Sequence, residues 1–365
     1  MPLINHAGGG GGTPQLCGQV ENFKVMLGTT ALTAVLSWTA PSPDEDNSFV
    51  GARIVRKTGS APTGINDGTV VYEGTALSYT DTGLTAGTTY YYRAFAYNAR
   101  TKYQTAKRVV SVVARNTSIS TVLNDNTWET IRLVSDLGQG ANFWAIGDCK
   151  AVTLNGPITV LSKSISLPAT AYPFIIGFDH NAEIEGANRI HFQFGKSALA
   201  NGHIESLFSA AIDTSTELWA YTTFRENLGQ NLAADSSTLL GSLPADLKSV
   251  LKNVVKYSVN TMSEEESAVT PTTDYIFILS AYETRGSIQF TTSTSGEINP
   301  YVKNYQKQYA YYAAGNTPPS TIWLRDFAYY SSTTQSGGWA YIDASNGQGH
   351  TSGRYSHPIC PAFCV

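Results

Sequence analysis

The chain has 365 residues, only 14% of them charged, with a formal net charge of −4. That length allows two or three domains with sizeable cores. The charge balance gives no reason to expect nucleic acid or an anionic membrane as a partner, and no run of about 18 apolar residues is present, so no membrane insertion is expected. The 21 tyrosines and 32 glycines, with many Thr and Ser, suit a β-rich extracellular or virion-surface protein better than a cytoplasmic enzyme.

Residues 1–19 read as an arm. Gly8–Gly12 form an unbroken glycine run, whose backbone entropy prevents it from holding structure alone. Leu3 and Ile4 precede this hinge as an apolar tag, expected to anchor the chain in a neighbouring subunit. The opening MPLINHAGGGGG has no basic region followed by an apolar one, so no secretory signal is expected. A surface-type composition without an export signal fits a protein assembled in the cytoplasm and released by lysis.

Residues 20–115 read as one β sandwich, with strand signals at the spacing of that fold. Leu32, Ala34, Leu36 and Trp38 alternate. Val50–Lys57, Thr69–Glu73, Leu77–Thr80, Thr88–Asn98 and Lys107–Ala114 follow, separated by the turn clusters Pro41–Asn47, Gly59–Gly68 and Thr82–Gly87. In Thr88–Asn98 the alternation puts Tyr90, Tyr92, Ala94 and Ala96 on one face.

Trp38 and the run Leu84-Thr85-Ala86-Gly87-Thr88-Thr89-Tyr90 carry a resemblance to fibronectin type III domains. The run is similar to the family's L-x-P-G-T-x-Y corner, with Ala86 where proline is usual. The resemblance implies that Tyr90 is the corner tyrosine, its hydroxyl bonded back to the chain. Such modules serve mostly as spacers or adhesive surfaces, so the fold alone says little about function.

Residues 116–123 read as a polar linker and 124–365 as a second, α+β domain. The apolar residues Trp128, Ile131 and Leu133, then Phe143 and Ala145, then Val152 and Leu154 predict three strands. Phe174–Phe178 and Ile190–Phe194 predict two more, with Asp179-His180-Asn181 as a loop between them. Leu243, Leu247, Val250, Leu251 and Val254 have helical spacing, with Ser242 as N-cap and Pro244 in the first turn. A shorter helix is expected over Thr222–Leu228 and a core strand over Asp274–Ala281.

The order of the segments WETIRLVSDLGQGANFWAIGD, LWAYTTFRENLG, LPADLKSVLKNVVKYS, YIFILSAYE, TIWLRDFAYY and HPICPAFCV resembles a family of uncharacterised C-terminal modules in tail and tail-fibre proteins of phages infecting Gram-positive bacteria. That family ends in G-x-R-P-A-F, whereas Cys360 stands here where arginine is usual. Its ending and its helix-plus-strand layout are similar to the C-type-lectin-like fold. No catalytic residue is established for the family, so none is carried over.

No catalytic motif is present among the hydrolase, metalloprotease and nucleotide-binding signatures. His180, His191 and His203 are scattered along the chain, and Gly147-Asp148 and Asp179-His180-Asn181 read as turns rather than calcium loops. Asp213, Glu217 and Glu226 could pair for glycoside hydrolysis only if the fold brought two together. The residue types give no metal and no cofactor. Cys360 and Cys364, in one terminal strand, would stand about 13 Å apart at roughly 3.3 Å per residue, too far for a bridge. The four cysteines are therefore expected as buried free thiols.

Near the C-terminus, Trp323, Arg325, Asp326, Tyr330, Trp339, Tyr341, Asp343, Asn346 and His350 combine flat apolar rings with hydrogen-bonding tips. That combination binds sugars and also marks protein interfaces. These residues are the expected contacts to a host-surface glycan or protein, with a core role equally open for Trp323 and Trp339 and with the loops Ser331–Gly338 and Asp343–Gly353 better placed for exposed contacts. The resulting expectation is a non-enzymatic phage tail or tail-tip protein in the virion, acting in host adhesion. It would be anchored to other tail or capsid proteins through the arm and assembled as a homotrimer or other symmetric oligomer. The alternatives are a capsid or tail decoration protein and a carbohydrate-degrading enzyme.

Overall fold

A computed structural model describes residues 16–42, 48–199, 205–212, 218–233, 235–261, 263, 265–287, 297–316, 321–331, 336–342, 348–351 and 355–365. Strand is the dominant element, and the chain divides into two compact units, Met1–Ile119 and Ser120–Val365. Leu3, Ile4 and the glycine run lie outside the described residues.

The first unit packs two antiparallel sheets. One has the order β1 (Glu21–Leu27), β2 (Ala34–Thr39), β5 (Ser78–Asp81); the other has the order β4 (Thr69–Gly74), β3 (Phe49–Thr58), β6 (Thr89–Asn98), β7 (Tyr103–Val113). This is the fibronectin type III arrangement. Tyr90, Tyr92, Ala94 and Ala96 all face the core, as their alternation requires. Trp38 packs edge-on to Phe23 at 6.2 Å and against Tyr72 at 5.6 Å. The Tyr90 hydroxyl accepts a hydrogen bond from the Thr85 N–H at 3.0 Å, closing the expected corner. Gly87 there has φ +76°, which explains glycine at that position.

β1 was not legible in the sequence. Asn22 at φ 51° makes a bulge between Glu21 and Lys24, and only the short stretch after it alternates, with Phe23 and Leu27 buried and Val25 half-buried. Leu32 lies in a left-handed turn (φ 59°) before β2 rather than in the strand. The polar segment after β7 is shared between the units. Ile119 is buried and donates its N–H to Thr29 O at 2.9 Å within the first unit, whereas Ser120 O accepts from Trp144 Nε1 at 3.0 Å within the second.

The second unit is α+β. Its central sheet orders Phe174–Phe178, Ile190–Gln193, Ala362–Cys364 and Ile276–Phe277. A second four-stranded sheet orders Glu297–Ile298, Ile322–Ser331, Ser336–Ile342 and Gln348–Thr351. A ribbon pairs Val254–Val259 with Val269–Asp274.

Two sequence expectations fail here, each for a local reason. Trp128–Asp136 is an α-helix, not a strand. Thr127 caps it by accepting from Thr130 N, and Trp128, Ile131, Val134 and Ser135 form one buried stripe at helical spacing. Trp128 meets Phe192 and Phe363 edge-on at 5.5 and 6.0 Å. Phe143 ends a one-turn helix, Gly140–Phe143, and only Val152–Thr153 of the three expected strands forms.

The expected helix from Leu243 to Val254 is broken. Pro244 holds Leu243 extended (ψ 150°), which separates the turns Leu239–Ser242 and Ala245–Lys248. Ser242 ends the first turn instead of capping a long helix, and Val254 already belongs to a strand. All five apolar residues are nevertheless buried. The helix over Thr223–Leu228 forms as expected, capped by Thr222. Asp274–Ala281 is interior throughout except for the half-buried Tyr275, but it is a strand end, a two-residue strand and the start of the helix Ala281–Arg285. Cys17, Cys360 and Cys364 are buried free thiols, while Cys149 is half-exposed.

Candidate functional site

The structure moves the nominated aromatic and charged residues from the surface to the interior. Trp323, Arg325, Asp326 and Trp339 are each at most 1% exposed, so none is a surface contact. The cause is that the strand from Ile322 to Phe327 is buried at every residue, so it is covered on both faces. Trp323 Nε1 donates to Ala210 O at 3.1 Å, and its ring meets His357 edge-on at 4.6 Å. Trp339 packs edge-on to Phe327 at 6.0 Å. Asp326 accepts from the Ala281 N–H at 2.6 Å, at the start of the helix Ala281–Arg285. Tyr341 is half-buried, 5.6 Å from His357. The backbones of Tyr330 and His350 lie in the strands Ile322–Ser331 and Gln348–Thr351. Asp343 and Asn346 lie outside the described residues, as do Asp213, Glu217 and His203; Glu226 is exposed in the first turn of its helix.

What the fold does assemble is a charged cluster inside the second unit. His191 comes from the middle of the central sheet. His180 and Glu185 come from the turn after Phe178, where Asp179 and Asn181 take φ 46° and 47° and a helical turn, Ala182–Glu185, follows. Lys256 comes from the inward face of Val254–Val259, and Glu283 from the helix Ala281–Arg285. Tyr309 precedes the turn Ala310–Ala313, and Arg325 comes from the second sheet.

Lys256 Nζ is the hub. It donates to Glu185 Oε1 and Glu283 Oε1, each at 2.9 Å, and to the Tyr309 hydroxyl at 2.7 Å. The Phe277 ring centre lies 4.3 Å from the ammonium. The other Glu185 oxygen lies 2.9 Å from His191 Nε2, and the other Glu283 oxygen pairs with Arg325 Nη1. Glu283 also closes a capping box, accepting from the Ser280 N–H at 3.0 Å. His180 stacks on Tyr309 at 3.6 Å, with its Nε2 3.7 Å from Glu185 Oε1. The most exposed member, His180, is 7% exposed.

Burial dominates the proton affinities. It holds His180 down to about 3 and His191 well below the usual imidazole range, so both rings are neutral. His191 then donates through Nε2, and its Nδ1 makes no hydrogen bond. Burial also raises Glu185, while Arg325 and Lys256 hold Glu283 low against the burial that would raise it. Asp326 is pushed up to about 6, again by burial. Donor atoms of His180, Glu185 and Glu283 lie within 4.8 Å of one another, close enough to surround a cation. The Lys256 ammonium already fills that role, touching both carboxylates.

Two open clefts lie elsewhere on this unit. One, of about 780 Å³, is lined by Ser164, Ser166, Ser206 and Ser209, by Lys196 and Glu205, and by Leu167 and Phe208. The other, of about 470 Å³, is lined by Arg132, Asp136, Arg189 and Lys252. There Asp136 is taken up by Arg132 at 2.9 Å and Lys252 at 2.7 Å.

The internal cluster was missed in the sequence, although His180 and His191 were noted separately. Signals were present. Ser280-x-x-Glu283 is a capping-box pattern, and Lys256 sits at an inward position of a strand once the long helix is discarded.

No family model matches the chain, and no curated protein matches it. Among solved structures it is similar to domains A168–A170 of titin, at 17% identity and a TM-score of 0.24, over 27% of this chain and 32% of that one. It is also similar to the fibronectin type III domain of human fibronectin type III domain containing protein 3, at 20% identity and a TM-score of 0.24, over 30% of this chain and 95% of that one. A third likeness is to domains FN1–FN3 of chicken CNTN1, at 16% identity and a TM-score of 0.23, over 27% of this chain and 32% of that one. The chain thus spans about a third of the length of the titin and CNTN1 fragments. The fibronectin-type reading of the first unit rests on its own strand order and on the Tyr90 corner.

Proposed function

We propose that this protein is a phage tail or tail-tip component that binds the surface of a Gram-positive host, the second unit meeting a cell-wall glycan and the fibronectin-like unit acting as spacer. The observation carrying this reading is the kind of surface the second unit offers. The cluster of His180, Glu185, His191, Lys256 and Glu283 is sealed inside, while the unit's larger open cleft presents serine hydroxyls, Lys196 and Glu205 beside Leu167 and Phe208. Hydroxyls and charges bond sugar hydroxyls, and apolar side chains cover C–H faces. That suits reversible recognition more than bond cleavage. The order of motifs shared with tail-protein modules supports the virion setting. The arm would fix the chain to other tail or capsid proteins, and symmetric assembly would add weak sites through avidity. A C-type-lectin-like fold for the second unit belongs to the same proposal.

The test is binding of the full chain to Gram-positive cells and to their purified wall polysaccharides, with the polysaccharide afterwards sized for shortening. Binding without shortening is expected, together with loss of at least tenfold in affinity on Ser209→Trp, which fills the cleft. A folded chain that binds no cell and no polysaccharide would overturn adhesion, and shortened polysaccharide would replace it with an enzyme.

A further inference from the structure

Adhesion makes no use of the internal cluster, and its chemistry is unusual for a purely structural ion network. A primary amine and two carboxyl groups share one buried space, each of the three residues at most 4% exposed. Lys256 Nζ stands 2.9 Å from an oxygen of each acid. The two acids are held differently. Glu283 is fixed as an anion by Arg325 and by the Ser280 N–H. Among the described residues no arginine pairs with Glu185; its second oxygen faces the neutral His191 ring. Beside the Phe277 and Tyr309 rings, exchanging an ammonium–carboxylate pair for an amine and a carboxylic acid removes two buried charges. Burial raises Glu185 in the direction this exchange requires.

We propose that Lys256 and Glu185 condense to a side-chain amide, tying the strand Val254–Val259 to the turn Ala182–Glu185. In the step, the Lys256 ammonium first passes a proton to Glu185 Oε1, and the free amine then attacks Glu185 Cδ and a C–N bond forms. The electron pair of the carbonyl moves onto Oε2, where the His191 Nε2–H stands as hydrogen-bond donor to the oxyanion. Glu283 accepts the proton that Nζ sheds and delivers it to Oε1. The C–Oε1 bond breaks and one water leaves, with Oε2 becoming the amide oxygen. One ammonium and one carboxylate thus become one amide and one water, with no oxidant, reductant or cofactor. In open water the balance favours hydrolysis; a fixed amine–acid geometry supplies the effective concentration that reverses it. The bond would join residues 71 apart in the chain, so the unfolded state would keep a large closed loop.

The experiment is mass spectrometry of the full-length purified protein, denatured and reduced, followed by tryptic mapping. The expected mass is lower by about 18 Da, the water expelled. Trypsin should fail to cut after Lys256, and a branched peptide should contain both Lys256 and Glu185. In Glu283→Gln, which keeps both reacting residues but removes the base, the branched peptide should fall at least tenfold. A folded wild-type chain with its full sequence mass and normal cleavage after Lys256 would overturn the proposal. So would a mass deficit mapping to other residues, and an undiminished yield in Glu283→Gln would overturn the role given to Glu283.

Discussion

Replacing Arg325 by methionine separates an interior role from a ligand-contact role. Arg325 is 1% exposed, pairs through Nη1 with Glu283, and donates from the same nitrogen to Ile278 O at 2.9 Å. Arg325→Met removes the guanidinium while keeping much of the volume. Glu283 then retains Lys256 and the Ser280 N–H but loses its closest cation, and the Ile278 carbonyl loses a donor. Breaking a buried pair in this way costs about 3–5 kcal/mol. For a unit of this size that lowers the melting temperature by roughly 6–20 °C. Calorimetry of the full chain measures it directly. The first unit contains none of these residues, so its transition is the internal control. The double variant Arg325→Met with Glu283→Leu should recover a large part of the loss, because an apolar pair replaces an uncompensated charge. A melting temperature unchanged to within about 1 °C, accompanied by lost cell binding, would refute the reasoning and return Arg325 to the surface.

Two further outcomes follow from the same geometry. His180 is held down to about 3 from an ordinary 6.5, and His191 moves in the same direction, so the unfolded chain takes up these protons first; their contribution is full above pH 6.5 and is lost as pH falls below it. Asp326, pushed up to about 6 from 3.8, works oppositely, adding stability as pH falls through 6. Glu185, also raised by burial, works in the same direction as Asp326, so the imidazoles are best read by removing one of them. Urea midpoints of His180→Phe, which keeps the stack on Tyr309, should fall less than those of the wild type as pH drops below 6.5; the same pH dependence in both proteins contradicts the burial of His180. In the first unit, Tyr90→Phe leaves the Thr85 N–H without its acceptor and should cost about 1 kcal/mol in urea unfolding, whereas no measurable change would deny the corner its contribution.

How much was legible depends on whether the signal was local. In the first unit, alternation along Thr89–Asn98, the glycine at position 87 and the corner tyrosine each act within a few residues, and they specify the strand, the turn and the bond back to Thr85. The bulged β1 escaped because only Phe23, Val25 and Leu27 alternate after the bulge at Asn22, too short a run to stand out. In the second unit most of the apolar residues singled out are buried, but their element was misread twice. Trp128–Asp136 has a helical stripe that a short window can confuse with alternation. Leu243–Val254 keeps helical spacing across Pro244, which breaks it.

Sequence by itself therefore determined a fibronectin-type β sandwich, a short helix over Thr223–Leu228, and the interior run Asp274–Ala281. Tertiary structure alone decided the fate of the polar residues. Trp323, Arg325, Asp326 and Trp339 have the chemistry of a binding surface, and nothing in their neighbours along the chain shows that other elements cover them. Lys256 and Glu185 are 71 positions apart, and Arg325 is a further 42 from Glu283. Hydrophobic burial depends on pattern, which a sequence displays. Charge pairing depends on distance in space, which only the folded chain defines.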